Sequence, residues 1–454
     1  MFRRFTAALA LAALTGPAAA VTLDLEDAVE LAMNHDPRIS ETEHLVDVAR
    51  ALLQEAVGSD DVFLDLNMFL AIAPEADGFY SNGSSNCVSL PCTVATDGDE
   101  IDGLSPWADL KFKLIKPLAT FGKVENYTEA AQGNVDVKRG AVRLQRIQSR
   151  MQVTRAYYGY LTARDSHDLI EDLVRRVMKA KKQMQAAIDE GRGDVKLSDF
   201  YALQTGAGIL RKSLAQAGAI EATALAGLRL LTGIQEPEPL EVADRHIRPV
   251  PLPMPDQSLK EWQDQALSAR TEMDQLEAGL RARRALIEAK KAEQLPNVYV
   301  GIVGSAAYAS ERDRLSNPLI YDPFNHVGVT PMVGMQWHWA GGVQSARIAQ
   351  AEAELNALVD KQSFARLGIP FEVAERYNKV RAGRQGVEEM AEASRAGRRW
   401  MLAAYADFEV GSERMDRVIE AFRSYALAHT DYLTTIYDYN VEVAELMRVS
   451  GAYR

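Results

Sequence analysis

Cysteine is almost missing from this chain: there are two, Cys87 and Cys92, in 454 residues. Both lie in "CVSLPC", with no histidine beside them, too few ligands for a metal site. In an oxidising compartment they are expected to pair as a disulfide closing a small loop. Past the N-terminus no long hydrophobic run occurs, so no segment reads as a membrane-spanning helix. Positive charge is also in deficit. The net charge of -12 argues against nucleic acid, which requires a basic face. The seven histidines (35, 44, 167, 246, 326, 338 and 429) are scattered, and none pairs at helical spacing with another ligand. There is no glycine-rich phosphate loop after a strand and no nucleophile motif. Nothing in the sequence calls for catalysis, a cofactor or a metal.

The first 20 residues read as a secretory signal. Arg3 and Arg4 form a positive start, residues 5–15 a short apolar stretch, and "GPAAA" a cleavage site ending at Ala20. No cysteine follows that site, so no lipid anchor is indicated. The mature chain is expected to leave the cytoplasm.

The chain is written twice. A shift of about 220 positions lays "AGGV" over "TFGK" at 120–123, Val373 and Tyr377 over Val153 and Tyr157, and Gly411 over Gly191. "AVELAMNHDPRI" matches "WQDQALSARTEM" at a similar offset. Each half reads helix, strand, loop, strand, very long helix, glycine turn, helix. This divides the chain into a signal (1–20), a first repeat (21–232), a proline-rich connector (233–257) and a second repeat (258–454).

The helices are expected near 25–57, 124–188 and 195–231, then 258–293, 344–408 and 412–448. Strands are expected near 61–73, 107–116, 297–309 and 326–339. All four alternate: Leu64, Leu66, Met68 and Leu70 against Asp65, Asn67 and Phe69, for example. Strict alternation gives one apolar and one polar face. Strands of about 10 residues cross a bilayer at a tilt, and Tyr308, Trp337 and Trp339 suit an interfacial girdle. Pro331 interrupts the fourth strand, and a bulge is expected there. Four strands close no barrel, and an open edge in lipid leaves backbone groups unpaired. Several chains must therefore pool their strands. The loop 74–106 is expected to face outside.

The helix near 124–188 would be about 100 Å long, too long for a globular core. Its apolar residues form a stripe for packing on other helices. Pro370 is expected to kink or break the later long helix. Gly191, Gly193, Gly411 and Ser412 mark two reversals, with glycine ending one helix and Ser412 capping the next.

These features resemble the TolC-like outer-membrane factor family. The resemblance rests on "LDLEDAVELAMNHDP", "KPLATFGK", "HWAGGV" and the turns "EGRGDVKLSDF" and "FEVGSERMDRVIEAF". It implies a mixed α and β membrane protein: a homotrimer with a twelve-stranded transmembrane β-barrel joined to a periplasmic tunnel of helical hairpins. It also implies an outer-membrane location in a Gram-negative bacterium and contact with outer-membrane lipid. The duct would take substrate from an inner-membrane transporter (RND, ABC or MFS type) through a periplasmic adaptor protein, for efflux or type I secretion, without covalent chemistry. In such proteins the turns dock the adaptor and nearby carboxylates ring the entrance. Asp199 stands at that position. Its counterpart is Arg417, a departure from the acidic pattern, with Asp416 beside it and Glu420 one turn on. The alternative readings are a periplasmic adaptor, which would show a single hairpin flanked by lipoyl-like halves, or a secreted coiled coil, which would lack the strands.

Overall fold

A computed structural model of the chain describes residues 21–75, 103–191, 196–236, 239–312, 314, 321–410 and 412–453. The signal segment, Cys87, Cys92, Gly193 and Gly411 lie outside the described residues. So does most of the 74–106 loop. In chain order the elements are β1 (Val21–Leu23), α1 (Leu25–His35), α2 (Pro37–Gly58), β2 (Phe63–Pro74), β3 (Leu104–Ala119), α3 (Lys123–Asp189) and α4 (Leu197–Thr232). There follow β4 (Leu240–Val242), α5 (Leu259–Ala269), α6 (Thr271–Ala292), β5 (Asn297–Ala309), β6 (His326–Gln336), α7 (Gly342–Glu409) and α8 (Met415–Val449). They fall into two compact units. One comprises Met1–Val46, Val137–Leu276 and Asp360–Arg454; the other comprises Asp47–Asp136 and Glu277–Val359.

The doubling extends to helix ends. Asp24 and Asp27 form a capping box ahead of α1, and Ser258 and Glu261 form another ahead of α5. In each case a side chain satisfies an amide that the first turn leaves unpaired. Helices α1 and α5 both have 11 residues, and α2 and α6 both have 22. The single helices expected near 25–57 and 258–293 are thus each two. The first breaks at Asp36 (ψ 111), since proline at the next position pushes its predecessor out of the helical region. The second breaks at Arg270 (ψ 131), whose side chain is drawn into buried ion pairs.

Asp36 fixes the first break. Its carboxylate accepts from the Arg38 amide (3.0 Å), Arg38 Nε (2.9 Å), Arg38 Nη2 (2.8 Å) and the Ser149 hydroxyl. The Arg38 bonds chiefly hold its pKa down at about 2, against an ordinary 3.8. A lowered carboxyl pKa contributes stability above the unfolded value and loses it as pH falls toward the folded one. Asp36→Asn is expected to cost about 1.5–3 kcal/mol at pH 7, the worth of hydrogen bonds to a charged group. Thermal melts of variant and wild type should converge as the pH drops from 3.8 to about 2. A constant gap across that range would contradict the assignment.

The connector 233–257 is more than a link. Its β4 pairs in parallel with β1, Val21 opposite Leu240 and Leu23 opposite Val242. Asn440 of α8 donates to the Arg248 carbonyl (2.8 Å) and accepts from the Val250 amide (2.9 Å). These bonds satisfy backbone that has no ladder of its own.

In the second unit, the other four strands form one antiparallel sheet in the order β2-β3-β5-β6. Its rows read straight across. Leu70, Ala108, Tyr308 and Phe69, Asp109, Ala307, His326 are successive rows on opposite faces. One face presents Leu64, Leu66, Met68, Leu70 and Ile72 of β2 and Val327, Val329, Val333 and Met335 of β6, all exposed, Leu70 and Val333 at 75%. The opposite face carries Asp65, Asn67, Lys111, Lys113, Ser305 and Thr330. The bulge expected at Pro331 is absent: Ile302 faces Pro331 in an unbroken register. Strand β6 is an edge strand within the chain, where proline is tolerated. The register shift occurs in β3 instead, between Pro117 and Ala119. Trp337 and Trp339 lie just past the end of β6, and the Trp337 indole donates to the Gln294 carbonyl (3.0 Å).

The long helices have 67 residues in α3 and 68 in α7, with partners of 36 and 35 in α4 and α8. No break occurs at Pro370: α7 is helical through it. A proline costs a helix interior about 3 kcal/mol, which packing along so long a helix outweighs. The Pro370 carbonyl accepts from Gln263 Nε2 at 2.9 Å.

Candidate functional site at the helical turns

Both hairpin ends rest on one apolar cluster in the first unit. Leu173, Val177 and Met184 of α3, Phe200 and Leu203 of α4, Met401 and Ala404 of α7, and Met415, Val418 and Ala421 of α8 are buried together. Unbranched methionines fill the irregular space where four helices meet. Tyr405 adds a bond from its hydroxyl to Gln183 (2.9 Å), linking α7 to α3. The cluster fixes the two turns against each other.

Gly191 ends α3 with φ +71, a left-handed conformation that costs other residues strain. Its amide donates to the Ile188 carbonyl (3.0 Å). Helix α4 then starts behind Lys196, which provides no side-chain cap. At the second turn, Ser412 does not cap α8. Arg414 occupies the N-cap position, and the Ser412 amide (2.8 Å) and hydroxyl (2.9 Å) both donate back to the Asp407 carbonyl. Glu413 N adds a third bond to the same oxygen at 3.2 Å. Ser412 therefore satisfies a carbonyl at the end of α7, a demand that arises because helix ends leave carbonyls unpaired.

The charges sort into short-range pairs. Arg417 Nη1 lies 3.5 Å from Glu420 Oε2, and Arg414 Nη2 2.9 Å from Asp416 Oδ2. Asp199 lies in the first turn of α4, its carboxylate 3.4 Å from the Ser198 hydroxyl. Of the carboxylates Asp199, Asp416 and Glu420, only Glu420 forms an ion pair with Arg417 among the described residues. Both ends of that pair are more than half exposed, so it is worth about 0–1 kcal/mol.

Sequence reading missed the apolar skin of the turns. Leu197, Tyr201 and Val410 are exposed at 54, 57 and 78%. Their signal was apolar residues beside a glycine reversal, where a merely solvated loop would be polar. It also missed the ion network around Arg270, which bonds Glu272 (2.8 Å) and Glu372 (2.6 Å). Glu372 is shared with Arg448 (3.0 Å), which holds Glu445 (2.7 Å), itself bonded to Arg155. Among the described residues no group of three metal-ligating side chains converges.

Residues 262–452 match the outer membrane efflux protein family. Over 293 residues the chain is 27% identical to Protein CyaE of Bordetella pertussis, an alignment covering 62% of this chain and 56% of that protein. It therefore spans little more than half of that relative. A membrane protein of Pseudomonas aeruginosa superposes with a TM-score of 0.74 at 17% identity, over 96% of this chain and 95% of the other. The CmeC outer membrane channel of Campylobacter jejuni gives 0.75 at 11% identity, over 94% and 85%. The fold is that of these two proteins.

Proposed function

We propose that this chain, a member of the TolC-like outer-membrane factor family, is one of three subunits of an outer-membrane efflux duct. The observation that carries the reading is the four-stranded sheet. One face is apolar and exposed along its length, the other is polar, and β2 and β6 leave two unpaired edges. Lipid solvates the first face, water the second, and the edges pair β2 of one chain with β6 of the next, because unpaired backbone is intolerable in a bilayer. Three chains give twelve strands, the number at which a barrel begins to leave a lumen. The helices continue the duct through the periplasm.

The turns are then the entrance. Leu197, Tyr201 and Val410 offer apolar contact to hairpins of a periplasmic adaptor, which passes on cargo from an inner-membrane transporter. Asp199, Asp416, Arg417 and Glu420 form the charged rim. The Arg417–Glu420 pair lies within one helix, so the gate works by Arg417 exchanging Glu420 for a carboxylate of a neighbouring chain, a trade worth about 0–1 kcal/mol per chain.

Reconstitution in planar bilayers tests the reading. Wild-type protein is expected to give uniform conductance steps, and Arg417→Ala and Arg417→Glu larger ones with changed ion preference. Protein that inserts but conducts nothing would contradict the duct. Steps identical in all three proteins would remove Arg417 from the gate and leave it an ordinary solvated charge.

A further inference from the structure

The strand ends Pro74, Leu104, Ala309 and His326 lie at the end of the sheet remote from the helices, since β2 follows α2, β3 leads to α3, β5 follows α6 and β6 leads to α7. At that end the polar face is not open. Ser105 and Asp109 of β3 have side chains that a bare face would leave in water, yet the residues are 1% and 3% exposed. Ser105 Oγ, Trp107 Nε1, Asp109 Oδ1 and His326 Nδ1 are buried with no hydrogen-bond partner among the described residues. They share one face, Ser105, Trp107 and Asp109 alternating along β3, with His326 in the row of Asp109.

The segment just before β6 covers them. The Phe324 ring packs on Trp107 at 5.1 Å, Trp107 in turn meets Phe69 edge-on at 5.0 Å, and the Arg312 guanidinium lies 4.1 Å over Phe324. Phe69 and Trp107 belong to the polar face by register, so Phe324 lies on that face too. The neighbouring positions on that face are small: Ala71, Ala73, Ala307 and Ala309, the last three buried. Small residues leave room for a segment to lie flat on a strand surface. Polar bonds then pin it. Asn325 accepts from the Ala309 amide (2.9 Å) and donates to the Arg312 carbonyl (2.9 Å), and Arg312 donates to the Pro74 carbonyl at the end of β2 (2.9 Å).

We infer that the segment Asp322–Asn325 is a strap folded across the lumen side of the barrel. Repeated in three chains, it makes a size-limiting constriction at the outer mouth, with Phe324 and Arg312 as the residues that set what passes. The inference rests on the duct reading above. Phe324 is held between a cation and an indole, a geometry that favours a fixed position over a waving loop. The constriction thus selects by bulk at the exit, separately from the charged rim at the entrance.

Thiol labelling of intact cells tests it. In a Cys87→Ser/Cys92→Ser background, Thr330→Cys places a thiol on the lumen face deeper than the strap, four residues along β6 from His326. A small membrane-impermeant maleimide is expected to label it from outside, and a bulky polymer-linked maleimide slowly. Phe324→Ala and, independently, Arg312→Ala should speed the bulky reagent roughly tenfold, equivalent to about 1.4 kcal/mol of barrier, with the small reagent unchanged. Two variants acting on different sides of one ring guard against a folding artefact in either. Equal bulky-reagent rates with and without the strap residues would overturn the constriction while leaving the duct intact. A small reagent that labels only after the outer membrane is permeabilised would overturn the duct reading itself, and the constriction with it.

Discussion

Leu66→Arg is expected to keep the protein out of the outer membrane. Leu66 lies in mid-strand on the apolar face of β2, 61% exposed in the single chain and flanked on that face by Leu64 and Met68. An arginine on the lipid side of a barrel near the midplane costs about 2–4 kcal/mol, and in the proposed trimer that becomes about 6–12 kcal/mol per assembled barrel. The neighbouring substitution is the control. Asn67→Arg places the same side chain on the opposite face, in the row of Lys111, where water solvates it. Membrane fractionation and heat-resistant oligomer on gels read the outcome: Leu66→Arg lost, Asn67→Arg retained. Equal behaviour of the two would mean that the alternation does not separate lipid from water.

Arg270→Leu is expected to be the most damaging change in the helical unit. The Arg270 side chain is 7% exposed and bonds both Glu272 and Glu372. Those bonds outweigh burial and raise its already high pKa. Removing one partner of a buried pair costs about 3–5 kcal/mol, because the remaining charge is stranded. Glu372 and Glu272 are about one-third exposed, so water screens part of the loss and the lower end, about 3 kcal/mol, is expected. Arg448 still binds Glu372 at 3.0 Å and limits the damage there. Arg270→Leu combined with Glu372→Leu should recover part of the loss, since no unpaired carboxylate then remains at that position. Urea titration of the helical signal measures both. A double variant less stable than the single one would show that the network contributes as paired charge and not by avoiding a stranded one.

The strands were legible because burial on two faces by two solvents writes a period-two pattern into the residues themselves. The span 297–309 agrees residue for residue, and β2 differs by at most two positions at an end. The long helices were legible for the same reason, with a stripe in place of a face. What escaped depends on partners distant in sequence. Strand β4 has three residues and exists because β1 lies beside it. The break at Arg270 reflects glutamates, one of them 102 residues away. Ser412 had a cap residue's chemistry, but the helix began two residues later, and its hydroxyl found the Asp407 carbonyl instead. Pro331 and Pro370 carry local penalties that an edge strand and extended packing absorb. At the turns, the sequence pointed to Asp199, Asp416, Arg417 and Glu420 together; in the single chain Arg417 lies beside Glu420, while Asp416 pairs with Arg414. It did not point to the strap over Trp107, whose parts come from three separate stretches of chain.

Native mass of the detergent-extracted protein tests the central claim most directly. Four strands with two open edges predict a particle of three chains, with β signal and oligomer lost together on unfolding. A stable single chain that keeps its full β signal in detergent would contradict the account, because its edge strands would then need no neighbour.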